Sequence, residues 1–270
     1  MRLINLRPTQ GGQVLLACLP FILLALAYVI GSALRLTENP NDKLLPAFKT
    51  LAQSIDTLAF TPDKRTGDYI LLSDTMASLW RLGLGLGIST AIALILGLLT
   101  GILPIMRALM SPFVAFVSMV PPLALLPVLF IVLGLGEVSK VALIVIGVAP
   151  ILIRDLTLTA MALPRELIVK AETLSASTWL IGLRVVLPQV LPRLIDSLRL
   201  QLGPAFLFLI AAEAISADAG LGYRIFLVRR YLSMEVIFPD VAWITLLAVL
   251  MDLALVTLRK RLFPWAGMGQ

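Results

Sequence analysis

The stretch Pro164–Pro192, PRELIVKAETLSASTWLIGLRVVLPQVLP, is a polar segment set between two long apolar blocks. In so apolar a chain, a segment of this kind is expected to lie outside the hydrocarbon of a membrane. Pro164 suits the first position of a helix, where its missing N–H is not needed, and Pro188 is expected to break the helical run. Apolar residues between them recur at i, i+4 and i+7, as on one side of a helix: Leu167, Ala171 and Leu174. The sequence therefore predicts a short amphipathic helix, a bend, and a return toward the membrane.

The composition is typical of a membrane protein. Of the 270 residues, 59% are hydrophobic and 14% are charged, whereas about a quarter of the residues in soluble domains are charged. The net charge of +6 does not indicate a nucleic-acid partner, because the basic residues stand at the ends of apolar runs and not on one face. The chain has one cysteine, Cys18, and no histidine. We therefore expect no disulfide framework, no metal site and no catalytic residue.

Six apolar runs are candidates for membrane spans. A helix needs roughly 20 residues to cross about 30 Å of hydrocarbon. Three runs reach this length without a charge: Pro8–Leu34, Leu82–Met106 and Ala108–Gly136. Three more contain charged residues: one follows Lys140, one extends from about Leu194 to Ile215, and one from about Asp240 to Leu258. The pattern predicts an all-α membrane protein with about six transmembrane helices.

The distribution of Lys and Arg predicts which ends of the runs face the cytoplasm. Basic residues stand before the first run, after the second, in the polar segment and after the last run: Arg2 and Arg7, Arg107, Arg165 to Arg193, and Arg259 to Arg261. This places both termini and the polar segment in the cytoplasm, although the basic outer loop Ser216–Pro239 is a mild exception. The first run is longer than the core of a signal peptide and is expected to be a retained anchor.

The polar segment resembles the cytoplasmic coupling loop of bacterial ABC-importer permeases, whose signature is E-A-A-x3-G-x9-I-x-L-P. On this chain the signature falls, without a gap, on Val169, Lys170, Ala171, Ser175, Val185, Leu187 and Pro188. Three residues differ from the common pattern: Val169 stands where the family often has Glu, Lys170 where it has Ala, and Ser175 where it has Gly.

Further motifs are similar to the nitrate/sulfonate/taurine/bicarbonate branch of these permeases and occur in the same order. They are VPPLALLP at Val120–Pro127, GLGEVSK at Gly134–Lys140, AAEAISADAGLGY at Ala211–Tyr223, and the basic tail with Pro-Trp at Arg259–Trp265. Together the motifs cover roughly residues 75 to 265, and a set in one order is more specific than any single one.

The resemblance implies a type I ABC-importer permease bundle in the bacterial inner membrane, which forms the translocation pathway for a small, anionic solute such as a sulfonate, taurine, nitrate or bicarbonate. Its implied partners are a second copy of the permease, two cytoplasmic ABC ATPase subunits, a periplasmic or tethered solute-binding protein, and membrane lipid. ATP and Mg are expected on the partner ATPase, because the phosphate-binding pattern G-x4-G-K-[ST] occurs nowhere in this chain.

Four regions follow from this reading. Residues 1–36 form an N-terminal segment with the first transmembrane helix, and 37–74 an extracytoplasmic segment. Residues 75–262 form the permease core of five transmembrane helices with the coupling loop 163–192, and 263–270 form a cytoplasmic tail. The segment 37–74, with an amphipathic patch at Leu45–Leu58, either docks a binding protein or packs across the mouth of the bundle.

The candidate site residues form two groups. The residues expected to couple the permease to its ATPase are Lys170, Ala171, Leu174, Ser175, Ala176, Leu187 and Pro188. The candidates for the translocation pathway are Pro121, Pro122, Pro127, Arg199 and Glu213. Each interior proline frees a carbonyl that neighbours or cavity water must satisfy, so the prolines indicate either a pathway or a static kink.

The two charged candidates have alternatives as well. Arg199 could meet an anionic substrate, pair with Asp196, or snorkel to the membrane surface. Glu213 could line the outer gate, contact another subunit, or be a hydrated structural carboxylate at the interface. The loop Gly220–Tyr223 is expected to be a turn whose glycines adopt positive φ.

Two rows of small residues in the second run predict close helix packing. One row is Gly83, Gly87 and Ala91, and the other is Ser89, Ala93, Gly97 and Gly101. At least one row is expected to pack within the subunit, and the sequence does not say which could meet another subunit.

Two other classes of protein are alternatives, a secondary transporter and an intramembrane enzyme. An ion-gradient-driven secondary transporter would need midplane ionisable residues, for which Asp252 is the best candidate. An intramembrane enzyme would need a nucleophile with a base or a metal cluster, which the absence of histidine and the scattered carboxylates disfavour.

Overall fold

The computed structural model describes residues 9–39, 42–62 and 67–267, and every regular element within those ranges is helical. The α-helices are α1 (Gln10–Glu38), α2 (Phe48–Phe60), α3 (Ile70–Ile102), α4 (Pro104–Met119), α5 (Leu126–Leu133), α6 (Glu137–Met161), α7 (Arg165–Thr173), α8 (Thr178–Ile181), α9 (Leu187–Ser216), α10 (Leu221–Arg229) and α11 (Met234–Leu262). The predicted all-α class is confirmed.

Five helical stretches in the described residues are long and apolar enough to cross a membrane. They are Gly11–Glu38, Ile70–Ile102, Glu137–Met161, Thr178–Ser216 and Met234–Leu262. A sixth forms if α4 and the segment Pro122–Leu133, which meet at 82°, count as one broken span. The prediction of about six spans is confirmed, and the third of them is a broken span.

Two predicted boundaries were wrong. The run Ala108–Gly136 is not one straight helix, since it bends sharply between α4 and α5. The second span begins at Ile70 and not at Leu82, so it takes in Asp74 and Arg81 and the end of the segment assigned to 37–74. The charge-free runs end at such residues, because a charged side chain is not expected in lipid. The structure buries both side chains inside the bundle.

The prolines at the bend occupy the first turns of short helices. Pro122 opens a 3₁₀ turn at Pro122–Leu125, and Pro127 lies in the first turn of α5. A proline in a first turn lacks an N–H that would have no intrahelical partner anyway. The expectation that these prolines free carbonyls inside a helix was therefore wrong, because the chain starts a new helix at each of them.

Helix α6 lies at the centre of the bundle, where it packs against α3, α9, α4 and α5. Its core side chains are fully buried: Leu143, Ile144, Val148, Leu152 and Leu156. The approach of α3 is very close, because a Cβ added at Gly97 would lie 2.7 Å from Cβ of Leu156, and one at Gly101 would lie 2.5 Å from Cβ of Ala160. The row Ser89, Ala93, Gly97 and Gly101 thus packs within the subunit.

The other small row points away from the subunit. Gly83, Gly87 and Ala91 are exposed, and a Cβ added at Gly83 or Gly87 would meet nothing within 4 Å. Only the tertiary structure separates the two rows, since both have the same spacing in the sequence.

Helices α1 and α2 lie at the edge of the bundle. None of the most apolar window of α1 is buried. The hydroxyls of Tyr28 and Ser32 tie the helix to the segment before α2, by donating to the Pro46 carbonyl at 2.7 Å and to the Leu45 carbonyl at 3.0 Å. The predicted amphipathic patch Leu45–Leu58 is the helix α2, which packs against α11 and α3. The patch therefore packs against the bundle, and the docking of a binding protein to it stays a prediction.

A glycine of α6 provides a test of this close packing. A Cβ at Gly147 would lie 2.2 Å from Cε2 of Phe208, on α9. We expect Gly147→Ala to destabilise the protein by about 1–3 kcal/mol through overpacking, measured as a lower midpoint of thermal unfolding in detergent. Gly87→Ala is the matched control, since it changes the same residue type in a helix at an open position. Equal midpoints for the two variants would contradict the packing.

Candidate functional site

The segment that resembles a coupling loop forms α7 and the turn after it. Helix α7 begins at Arg165 with Pro164 as its N-cap, one residue later than the prediction that Pro164 is the first helical residue. Glu166 lies in the first turn and Lys170 in the last, so both charges match the helix dipole. No residue of α7 is buried, which is expected for a helix outside the main core.

The turn after α7 requires a left-handed residue. Ser175 has a φ of 57°, and two main-chain hydrogen bonds close the helix end, from Ser175 N to Glu172 O at 2.9 Å and from Ala176 N to Ala171 O at 3.1 Å. Glycine is the usual residue for such a cap. The conformation explains why glycine suits this position of the signature.

The loop returns to the bundle through one long helical stretch. Ser177 caps α8 by accepting from Leu180 N at 3.3 Å, and a π turn at Gly182–Val186 then leads into α9. The predicted break at Pro188 was wrong, because Pro188 lies in the first turn of α9 and the stretch Thr178–Ser216 continues as one span. The wider π turn shifts the hydrogen-bond register just before the proline, where its N–H is missing.

The loop has an inner face that packs on the bundle and an outer face that is exposed. Its inner face packs into a small hydrophobic cluster at the ends of α3, α6 and α9. The buried residues of this cluster are Ala160, Ile181, Val186 and Val190. The partly buried residues around them are Leu98, Ile102, Leu163, Ile168, Ala171, Ala176 and Val185. On its outer face Leu174 is 82% exposed, and Lys170 and Ser175 are exposed as well. The stripe Leu167, Ala171 and Leu174 is therefore not one contact face, since Ala171 faces the bundle and Leu174 protrudes.

The remaining coupling candidates lie at the joint with the bundle. Leu187 and Pro188 are partly buried at the start of α9. The structure thus separates the seven residues into an anchoring set (Ala171, Ala176, Leu187 and Pro188) and an outward set (Lys170, Leu174 and Ser175). We call the end of the bundle that carries this loop the α7 end, and the opposite end the α10 end.

Glu213 lies at the α10 end and is fully buried. Ser78 donates to its two oxygens at 2.8 and 3.0 Å, Arg81 Nη1 donates at 2.6 Å, and Gly222 N donates at 2.9 Å. Neither a hydrated carboxylate nor one that lines an open gate fits this burial. The expectation for Glu213 is corrected accordingly: it forms an internal ionic contact that joins α9, α3 and the first turn of α10.

Arg81 is the residue that the sequence analysis missed. It also donates to Glu137 at 2.5 and 2.9 Å and to the Ala219 carbonyl at 2.7 Å, so it joins α3, α6, α9 and the loop before α10. Its partners lie 56 to 138 positions away in the chain. The only local signal was an arginine at the edge of an apolar run.

The predicted turn Gly220–Tyr223 was wrong beyond Gly220, because Gly220 is the N-cap of α10 and Leu221–Arg229 is helical. Backbone donors tie the start of this helix to α3. Gly220 N donates to Asp74 at 2.9 Å and Leu221 N to Ser78 at 2.9 Å. Gly220 has the predicted positive φ, 136°, and its Cα hydrogen points at the Glu213 carboxylate, which a Cβ would approach to 2.6 Å. Gly222 does not have a positive φ. Glycine is required there because a Cβ would lie only 2.8 Å from the Ile210 carbonyl oxygen.

Arg199 is engaged by carboxylates. Its Nε and Nη2 donate to Asp252 on α11 at 2.7 and 3.0 Å, and Asp196 lies farther away, at 3.7 Å. Asp196 also meets Arg259 at 3.3 Å. The structure therefore gives Arg199 a partner on another helix in place of an anionic substrate, and Asp252, the midplane candidate for a secondary transporter, is used in the same pair.

A multi-span helical bundle with a loop of exposed and anchored faces is the architecture that the permease resemblance predicts, and the comparisons with known proteins show the family. Residues 83–266 match the family "Binding-protein-dependent transport system inner membrane component". The chain belongs to this family and is a membrane-spanning permease subunit of an ATP-binding-cassette importer. The predicted resemblance is confirmed.

Relatives at about one-third identity carry related names. The chain is 34% identical over 201 residues to the taurine transport system permease protein TauC of Escherichia coli, covering 74% of this chain and 73% of that protein. It is 31% identical over 246 residues to the putative ABC transporter permease protein MJ0413 of Methanocaldococcus jannaschii, covering 90% of each. The bicarbonate transport system permease protein CmpB of Synechocystis is 29% identical over 196 residues, covering 72% of this chain and 70% of that protein.

The fold is also similar to a solved structure. A chain of the MetNI methionine ABC transporter in an inward-facing conformation aligns with a TM-score of 0.64 and 20% identity, covering 72% of this chain and 96% of that chain. This similarity confirms the predicted type I importer fold.

The left-handed turn at Ser175 can be tested by substitution. Since an L-residue in this conformation costs roughly 1–2 kcal/mol, we expect Ser175→Gly to raise the unfolding midpoint and Ser175→Val to lower it. Differential scanning fluorimetry in detergent measures both. Equal or reversed midpoints would contradict the assigned turn.

The buried contact at the α10 end predicts a non-additive pair of substitutions. Arg81→Met leaves Glu213 buried without its cation, so we expect a loss of about 3–5 kcal/mol. Adding Glu213→Gln removes the unpaired charge and is expected to restore part of that loss. Thermal unfolding of the two single variants and the double variant measures the coupling, with the exposed Arg229→Met as control. Additive losses would contradict the pair.

Proposed function

We propose that two copies of this chain form the pathway for a small solute with an anionic group, such as a sulfonate, taurine, nitrate or bicarbonate. Two cytoplasmic ATPase subunits, which bind ATP and Mg, dock on the α7 end, and a periplasmic or tethered binding protein delivers the solute to the α10 end. The α7 end and both termini face the cytoplasm, and lipid surrounds the bundle. The names of the relatives, taurine for TauC and bicarbonate for CmpB, support this solute class.

The observation that carries the proposal is the division of the loop into two faces. Leu174 projects from the protein with 82% of its surface exposed, a cost that a partner's apolar cleft would remove. Lys170 and Glu172 are exposed beside it, and charges at the rim of such a contact fix its orientation. An isolated exposed leucine is ordinary, but here it follows a helix whose other side is anchored.

The anchored face provides the route for force. Ala171 and Ala176 pack on the ends of α3, α6 and α9, so a displacement of α7 must move those ends as well. The stretch Thr178–Ser216 then continues from the loop toward the α10 end as a span of 39 residues. At that end Glu213 binds Arg81 on α3 at 2.6 Å. Rigid-body motion at the loop is thereby transmitted to the opposite face of the membrane.

The bent pair α4–α5 supplies the proposed pathway surface. Pro121 and Pro127 are exposed beside the 82° bend, and Pro122 is partly buried there. Non-helical backbone at membrane depth is tolerated where it is buried in protein or lines a water-filled cavity. We therefore place these three prolines along the pathway, and assign Arg199 and Glu213 to the framework that holds it.

The test of the coupling face is Leu174→Asp. Because Leu174 is exposed, its substitution is expected to leave the fold intact and to abolish copurification of the ATPase, with at least a tenfold loss of ATP-driven uptake, about 1.4 kcal/mol or more of coupling. Leu135→Asp is the matched control, since Leu135 is 64% exposed at the α10 end, and it is expected to retain the ATPase.

Normal ATPase capture and normal uptake by the Leu174→Asp variant would overturn the assignment of this face. Unfolding midpoints of both variants separate a loss of binding from a loss of folding.

A further inference from the structure

A groove between α4 and α6 lies toward the α7 end, apart from the loop itself. It encloses about 590 Å³, and its polar lining consists of Arg107, Arg154, Ser111, Thr100 and Thr157, with no carboxylate among the lining residues. The two threonine hydroxyls bind each other at 2.6 Å and also bond to main-chain carbonyls. The groove therefore presents two guanidinium groups and the Ser111 hydroxyl.

Arg154 is exposed, and among the described residues no carboxylate forms an ion pair with it. Its neighbour Asp155 is used elsewhere, by Arg193 at 3.2 Å and by Ser197. Arg107 is also without a carboxylate in the described residues, since its Nε and Nη2 donate to the carbonyls of Thr100 and Gly101 at 3.0 and 2.5 Å. Four other arginines of the described spans are paired with carboxylates: Arg81, Arg193, Arg199 and Arg259. Arg184 and Arg261, which lie toward the α7 end, also form no ion pair with a described carboxylate, but they are outside the lining of this groove.

The depth of Arg154 makes its lack of a carboxylate partner informative. Seven residues separate it from the end of α6 at Met161, or about 10 Å along the helix. An arginine inside the hydrocarbon is costly unless it faces a bundle interior or water. The exposed residues around it, Ile151, Leu158 and Met161, form one stripe on the half of α6 nearest the α7 end, so the cation lies on an open side of the central helix.

The groove continues toward the loop around α7. Arg107, Pro104 and Met161 line both this groove and a second cavity of about 720 Å³ beneath α7. That second cavity is lined by Arg165 at the start of α7 and also by Glu172 near its end, so its charge is mixed. The lining without a carboxylate is confined to the groove of Arg154 and Arg107.

We propose that this groove binds the oxyanion group of the solute on its way out of the pathway, with Arg154 as the main ligand and Arg107 and Ser111 beside it. The inference rests on the proposed function. Guanidinium groups bind sulfonate and carboxylate oxygens through charge-assisted hydrogen bonds. A lipid phosphate offers the same chemistry, but it would lie near the end of α6, and the groove extends inward from that level. The solute is therefore the assigned occupant.

The experiment uses a thiol reporter inside the groove. Ser111→Cys is made in a Cys18→Ser background, which removes the one native cysteine, and the complex with its ATPase is studied in inside-out vesicles without nucleotide. The probes are sulfonatoethyl methanethiosulfonate, an alkanesulfonate, and its trimethylammonioethyl counterpart. The measured quantity is the ratio of the anionic to the cationic modification rate, corrected for the ratio with a small free thiol.

We expect the anionic probe to be favoured, and Arg154→Gln to reduce the ratio about fivefold, as for loss of one unit charge near the reporter. Arg154→Lys is expected to retain most of the preference. Lys260→Gln is the matched control, because Lys260 is an exposed cation at the same end of the bundle, on α11, outside the groove.

An unchanged ratio in Arg154→Gln would overturn the inference. So would a thiol that neither charged probe reaches but a membrane-permeant maleimide does, since the groove would then hold lipid. A ratio that follows the anionic-lipid content of the vesicles and not Arg154 would assign the site to headgroups and likewise overturn it. ATP-driven uptake of taurine by the parent complex tests the proposed function separately, because its failure leaves the modification ratio unaffected.

Discussion

The ionic contact between Arg81 and Glu213 is the constraint on which the arrangement of the bundle depends. Glu213 is fully buried, and a buried carboxylate is tolerable only with a cation and donors around it. Arg81 on α3, Ser78 one turn before it, and the backbone of Gly222 supply them. Because Arg81 also holds Glu137 at the start of α6, one side chain sets the relative positions of α3, α6, α9 and the loop before α10.

The α7 end of the bundle is held by apolar packing and not by a buried ion pair. The loop around α7 is joined by apolar packing, through Ala171, Ala176 and Val186, and leaves its polar face and Leu174 exposed. An apolar joint transmits displacement without specific bonds to break, and the ionic joint at the α10 end holds α3 and α9 together. A helical stretch from Thr178 to Ser216 connects the two ends, as the proposed transmission of motion from the loop requires.

Much of this organisation could be predicted from residue spacing. The helical class, the number of spans and the presence of α7 follow from apolar length and from local signals such as Pro164. The bend was predicted at Pro188, whereas the chain turns at Ser175. The errors share one cause: local rules treat each charge or proline by itself. Arg81 and Asp74 appeared to lie outside α3, but Glu213 pairs with Arg81 and Arg224 pairs with Asp74 at 2.8 Å. Pro188 appeared to break the helical run, but a change of helical register just before it accommodates the proline.

The amino-acid sequence by itself determined the family, the membrane environment and the position of the amphipathic loop around α7, because these depend on composition and on residues a few turns apart. The tertiary structure alone decided that Glu213 and Arg199 are structural ion pairs, that the Gly97 row faces α6 while the Gly87 row is exposed, and that Arg154 lies in a groove without a carboxylate. Pairs such as Arg81 and Glu213 are 132 positions apart. Which charge meets which is a property of helix packing, and no periodicity in the chain encodes it.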